Sequence, residues 1–225
     1  MFPIITNSGK PRRLEKMPVS GRVSDLAHAL VRSGALKFGS FKLRSGTMSP
    51  YYIDLSWLLS SPESFKQVVD IVVNEARHIM SSFKTDKLAS IELKGALLLP
   101  SIAYELNVPC LVVRKESKRY GLTGMIAGGV VNHSDRILFF DDVVTDAGSK
   151  VDGIKPIESL GGKISAVLVV VDREQSGKTK LEEMGYKLYS VATISEIVES
   201  LLSSREIPEE QAKNIFRYVK EYSSL

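Results

Sequence analysis

Residues 139–149 read Phe-Phe-Asp-Asp-Val-Val-Thr-Asp-Ala-Gly-Ser. An apolar run ends in two acids, and a short loop rich in Thr, Gly and Ser leads into a helix. Backbone N–H groups at such a loop and helix start are suited to holding a phosphate. Two adjacent carboxylates would repel that phosphate if they lay beside it. Asp141 and Asp142 are therefore expected to face a neutral polyol next to it. A ribose 5-phosphate has both parts: hydroxyls for the acids and a phosphate for the loop.

Further charged residues fall just past other apolar runs. Lys94 follows the run at 88–93, a basic cluster at 114–119 follows the run at 110–113, and Asp172-Arg173 follows the run at 164–171. If those runs are parallel strands, their carboxyl ends share one edge of a sheet, where ligands bind in open α/β folds.

The elements needed to do this are legible. Val23, Leu26, Ala27, Leu30 and Val31 recur at one-turn spacing and predict a helix that Ser33-Gly34 ends. Residues 36–46 alternate in short strands and turns, and 49–54 are extended. Ser61-Pro62-Glu63 opens a long helix with an apolar face of Val68, Val69, Val72, Val73, Ala76, Ile79 and Met80. Strands are expected at 88–93, 110–113, 136–140 and 164–171, the last apolar enough to be buried on both faces. Helices are expected at 97–106, with Pro100 in the first turn, at 149–160 before Gly161-Gly162, and from 207 to 222 with Pro208 and two acids at its start. Alternating strands and helices imply an α/β fold with a mostly parallel sheet flanked by helices. Residues 1–18 read as an arm and 19–225 as one domain, with a small hood drawn largely from 19–60.

Composition narrows the field. The 225 residues carry 30 Lys plus Arg against 26 Asp plus Glu, a net charge of +4 that gives no broad basic face. Nucleic-acid binding would rest on Lys10-Pro11-Arg12-Arg13 alone, which a solvated tail explains. The single cysteine, Cys110, excludes an intrachain disulfide and reads as a buried strand thiol. His28, His78 and His133 are scattered and form no metal site. The start of the chain lacks the apolar core of a signal peptide, and no run is long enough to span a membrane. The expected compartment is the cytoplasm.

The segment at 139–149 resembles the phosphoribosyl-pyrophosphate motif of the type I phosphoribosyltransferases. Three other blocks resemble orotate phosphoribosyltransferases in particular: 36–46 with Ser49-Pro50-Tyr51-Tyr52, the basic run at 114–121, and Val171-Asp172-Arg173-Glu174. The resemblance runs in order from about residue 20 to the C-terminus. It implies the type I phosphoribosyltransferase fold and transfer of a ribosyl 5-phosphate from phosphoribosyl pyrophosphate to orotate, giving orotidine 5′-phosphate and pyrophosphate in pyrimidine biosynthesis.

The resemblance also assigns roles. Lys118 matches the lysine of a mobile catalytic loop, and Asp141 and Asp142 match the acid pair of the reaction centre. Arg44, Lys94, Arg114, Lys115 and Tyr120 match positions that hold pyrophosphate. Val143, Val144, Thr145, Asp146, Ala147, Gly148 and Ser149 match the phosphate loop. Tyr51, Tyr52, Thr145 and Arg173 match orotate contacts. Gly121, Gly124, Gly128 and Gly129 would let the 114–121 loop close over the site. Mg²⁺ is implied, held mainly by pyrophosphate and ribose oxygens with no protein ligand directly assigned. A homodimer is implied, each subunit lending its loop to the other.

Several residues depart from the family pattern. Asp146 and Ala147 replace a small or hydroxylic residue and a glycine. Tyr120 replaces a common histidine, Arg44 a common lysine, and Ser90 stands near a common glycine. Gly153 and Pro156 interrupt the helix after the loop. The alternative is a non-catalytic or regulatory paralogue of the same fold that binds a nucleotide.

Overall fold

In the computed structural model the described residues are 19–43, 46–118 and 124–223. The almost unbroken apolar run near 164–171 becomes β7 (Lys163–Asp172), buried from Ala166 onward. Its parallel neighbours are β6 (Arg136–Val144) and β8 (Leu188–Thr193). With β3 (Lys87–Ile91), β4 (Cys110–Lys118) and β5 (Gly124–Ala127) they form a six-stranded sheet of order β5-β4-β3-β6-β7-β8. Every pairing is parallel except β4 with β5. A separate antiparallel pair, β1 (Leu36–Lys42) and β2 (Met48–Ile53), stands beside it.

Period-two alternation divides the core between the two faces of the sheet. Leu138, Phe140, Ala166, Leu168 and Val170 point into one apolar cluster, and Ile137, Phe139, Val167 and Val169 into the other. The first cluster is covered by α1 (Val19–Arg32), α2 (Pro62–Ser82), α3 (Lys94–Leu106), α6 (Ile194–Ser203) and α7 (Glu209–Ser223). The second is covered by α4 (Gly148–Ser159) and by Leu181 of α5 (Gly177–Glu183). A 3-10 turn at Leu55–Ser60 joins β2 to α2.

The structure corrects several expected boundaries. β6 does not stop at Phe140 but runs through both acids to Val144, because its ladder with β7 continues to the pair Val144–Asp172. β4 continues through the basic cluster to Lys118, pairing with β5 in an arm that periodicity alone had not disclosed. α3 begins three residues earlier than expected, so Pro100 lies inside the helix rather than in its first turn. Gly153 and Pro156 do not interrupt α4. The space for a Cβ on Gly153 is already filled by Phe139, 2.5 Å away, so the glycine lets α4 settle closely on β6. Cys110 is half-buried, at the first position of β4, and burial raises its thiol pKa.

Candidate active site

The carboxyl ends of β3, β4, β6 and β7 share one edge of the sheet, and each supplies a charged segment. The register brings Ile91 beside Val113 and Val144 beside Asp172. Side-chain contacts then tie these ends together. Glu92 Oε1 accepts the backbone N–H of Lys115 at 2.6 Å, joining the turn after β3 to β4. Lys94 Nζ lies 3.2 Å from Asp54 Oδ1 at the end of the β1–β2 unit; against burial, hydrogen bonds from Ser56 and then the Lys94 ammonium hold the Asp54 carboxyl below its ordinary range.

Asp141 and Asp142 are both buried, on successive positions of β6. A strand sends successive side chains to opposite faces, so the two acids occupy different surroundings. Asp141 meets Lys150 of α4, with Nζ 2.8 Å from Oδ2. Lys150 also donates to the carbonyl of Val143 and, at 3.2 Å, to Ser149 Oγ. Among the described residues, Asp142 has no cation so close. Burial, with the neighbouring Asp141 charge, pushes its carboxyl up to about 7, while Lys150 and the Val143 N–H pull the other way.

The loop at 145–149 turns tightly. Thr145 C=O accepts the N–H of Gly177, and a Cβ at Gly177 would collide with Val144 and the Thr145 carbonyl. Ala147 sits at φ +71, in the left-handed region that favours glycine. Its buried methyl packs in the α4-side cluster. Asp146 is exposed, and its Oδ1 accepts the N–H of Gly148 at 3.1 Å. One amide at the mouth of the loop is therefore already occupied by a carboxylate of the same loop.

Arg173 follows β7. Its Nε donates to Tyr51 Oη at 3.2 Å, a second nitrogen lies 3.5 Å from Ser49 Oγ, and the guanidinium stacks 4.8 Å from the Tyr51 ring centre. Tyr51 is fully buried and meets Tyr218 edge-on, and burial raises its phenol pKa. Tyr52 lies on the other side of β2, partly exposed against Phe41. The expected aromatic pair is thus separated: Tyr51 orients Arg173, and only Tyr52 offers an open ring face. Glu174, at φ +55, fixes the turn after Arg173. Its N–H donates to Asp172, its carboxylate accepts the N–H of Ser195, and its carbonyl accepts from Ser223.

Arg114 donates to the Gly124 carbonyl at 3.2 Å, bracing the β4–β5 arm, and Lys115 is exposed. Lys118 is the last residue of β4, opposite Gly124. Its side chain, with Arg44, Arg119, Tyr120, Gly121 and the arm at 1–18, lies outside the described residues. Sequence reasoning had not singled out Lys150 or Glu92, and had named Ser49 and Glu174 only as members of matching blocks, without a role. Lys150 did leave a signal: it heads the buried face Lys150–Ile154–Ile157, an interior pattern in which a lysine is out of place.

No family model matches the chain. It is 32% identical over 182 residues to the orotate phosphoribosyltransferase of Pyrococcus abyssi (strain GE5 / Orsay), covering 81% of this chain and 98% of that protein. Among solved structures, orotate phosphoribosyltransferase from Aeropyrum pernix superposes with a TM-score of 0.69 at 30% identity, covering 78% of this chain and 97% of that one. The UMP synthase of Leishmania donovani superposes with a TM-score of 0.80 at 29% identity, over 90% of this chain and 43% of that one.

Proposed function

The chain belongs to the orotate phosphoribosyltransferase family, and on that premise we propose that it joins orotate to the ribosyl 5-phosphate of phosphoribosyl pyrophosphate, releasing pyrophosphate and forming orotidine 5′-phosphate for pyrimidine biosynthesis. The observation that carries this reading is the meeting, at one sheet edge, of the buried Asp141–Asp142 pair, the 145–149 loop, the Lys94 turn and Arg173.

Each part has a task in that reaction. The loop amides hold the 5-phosphate, and the acids hold ribose hydroxyls. Lys94, with Arg44, Arg114, Lys115 and Tyr120, binds the departing pyrophosphate. Lys118, the last residue of β4, is assigned the role of the family's catalytic loop lysine. The transition state separates a cationic sugar from a highly charged leaving group, so fixed charges already in place supply the main stabilisation. Closure of the arm excludes water from the activated sugar. Asp141 faces the Lys150 ammonium rather than open space, a donor set that suits Mg²⁺ arriving on pyrophosphate and ribose oxygens with few direct protein ligands. When bound, the ion spreads the charge of the leaving group. The reading includes a homodimer that shares the arm between subunits and a cytoplasmic location. Among the described residues no helix is long and apolar enough to cross a membrane.

The test is a Mg²⁺-dependent loss of orotate absorbance when both substrates are mixed with the protein. Turnover is expected. Absence of turnover with nucleotide binding intact would establish the second reading, a non-catalytic paralogue. The Asp146–Gly148 contact is the observation favouring that reading, because it occupies a loop amide. Asp146→Asn separates charge from geometry, since the amide oxygen can still accept from Gly148. Removal of one like charge near the phosphate is expected to lower the KM for phosphoribosyl pyrophosphate about threefold to tenfold, the range of a surface charge interaction of roughly 1 kcal/mol. An unchanged KM would show that Asp146 points its charge into solvent.

A further inference from the structure

Position 150 lies in the first turn of α4 and is 4% exposed. Packing does not call for a charge there. A methionine has comparable length and no ammonium to desolvate, and buried ion pairs are often no better for stability than apolar replacements. The helix dipole also disfavours a cation in the first turn, where the N–H groups carry partial positive charge. Two costs are thus accepted at one residue.

The contacts of Nζ show where the compensation lies. An ammonium has three donors, and Lys150 has three acceptors around it: Asp141 Oδ2 at 2.8 Å, the Val143 carbonyl, and Ser149 Oγ at 3.2 Å. All belong to the acid pair or the loop it leads into. The cation is therefore used up within the protein and does not reach a substrate phosphate. The other oxygen of Asp141 is confined too: a Cβ built on Gly95 would lie only 2.5 Å from Oδ1. One carboxylate is held between the first turns of α3 and α4.

We propose that Lys150 is a positioning residue for the transferase reaction: it locks Asp141 as a fixed carboxylate and cancels that charge beside the phosphate loop. This inference rests on the reading of residues 141–149 as the ribose-phosphate site. Without the ammonium, Asp141 would be a buried, unpaired carboxylate within Coulombic reach of Asp142 and near a phosphate dianion, which favours its protonation. Among the described residues, the charged groups acting on the acid pair are Lys150 on α4, paired with Asp141, and Lys94 at the start of α3, which acts on Asp142 and is itself paired with Asp54. Ser90 and the Val169 position on β7 are neutral. Removing Lys150 therefore takes away the ammonium paired with Asp141 and makes protonation of the acid pair easier.

The experiment compares wild type, Lys150→Met, Lys150→Arg, Asp141→Asn and the double variant Asp141→Asn/Lys150→Met. It reads kcat and the KM for phosphoribosyl pyrophosphate between pH 5 and pH 9, with melting temperature alongside. In Lys150→Met the acid limb of kcat/KM is expected to move up by about one pH unit, a roughly tenfold loss on the acid side of the wild-type limb. Lys150→Arg is expected to keep the limb near its wild-type position. On the Asp141→Asn background, Lys150→Met should add only a small part of that shift, left by the direct action of Lys150 on Asp142, because most of the effect passes through Asp141. A folded Lys150→Met protein with an unmoved limb and unmoved KM, lower only in melting temperature, would overturn the proposal. So would an equal shift on the Asp141→Asn background. If Lys150→Met alone does not fold but the double variant does, the pairing is supported. If both fail to fold, Lys150 is a packing residue and the proposal falls. Wild-type turnover is scored first, so failure of the family reading is distinguished from failure of this one.

Discussion

Replacing Arg173 by alanine is expected to raise the KM for orotate about 100-fold while kcat falls by less than tenfold. The guanidinium is half-buried and oriented by neutral groups, Tyr51 Oη and Ser49 Oγ, above the Tyr51 ring. Among the described residues no carboxylate is paired with it at ion-pair distance. A cation positioned in this way is suited to a substrate carboxylate, and a charge-assisted hydrogen bond to one contributes about 1.5–3 kcal/mol. That range corresponds to roughly 10-fold to 150-fold in binding. Steady-state kinetics with orotate varied at saturating phosphoribosyl pyrophosphate measures it. Arg173→Lys should recover only part of the loss, because an ammonium cannot keep the Tyr51 and Ser49 contacts while offering two parallel donors. An unchanged orotate KM, with a lower melting temperature instead, would show that Arg173 only braces the β1–β2 unit.

The second large effect is expected at Gly95. A Cβ there would meet Ser90 Oγ at 2.4 Å, Asp141 Oδ1 at 2.5 Å and the Asp141 Cα at 2.9 Å. The serine can rotate, but the Asp141 backbone is held in the β6–β7 ladder. Gly95→Ala must therefore push the first turn of α3 away from β6. That moves Lys94 from Asp54 and disturbs the Asp141–Lys150 pair. Overpacking of this kind costs about 1–3 kcal/mol in stability, and kcat/KM is expected to fall by about two orders of magnitude, since displacements near 1 Å have effects of that size. Chemical denaturation and kinetics on the folded fraction measure the two losses separately. Gly153→Ala is the comparison. It also overpacks, but against the Phe139 ring and Ile91 rather than against Asp141. It should lose stability while keeping most of its activity per folded molecule. Equal losses of activity in both variants would show that the α3 turn has no special relation to the acids.

Much of this was legible in the chain. The unbroken apolar run of β7 and the period-3.6 faces of α1 and α2 follow from burial, and burial is written in residue type. The order of charged segments after apolar runs pointed to the sheet edge that the structure forms. Boundaries were less legible where a ladder partner outlasts the apolar run. Asp141 and Asp142 look like a strand end, yet parallel pairing with β7 carries the backbone past them to Val144. The same holds for the basic residues of β4, kept in a strand by pairing with β5. Pro100 misled because a helix start depends on the chain before it: α3 begins directly at the turn after β3.

The sequence by itself determined the alternation of strand and helix, the acid pair with its loop, and the blocks that resemble orotate phosphoribosyltransferases, because apolar periodicity and local motifs are properties of neighbouring residues. The partnerships were decided only in three dimensions. Tyr51 and Tyr52 are adjacent in the chain but go to opposite sides of β2, one to orient Arg173 and one to the surface. Asp141 and Asp142 likewise diverge, one clamped by Lys150 and one pushed toward neutrality by burial. A strand separates its neighbours, and only helices and strands distant in sequence supply the charges that then give each residue its role.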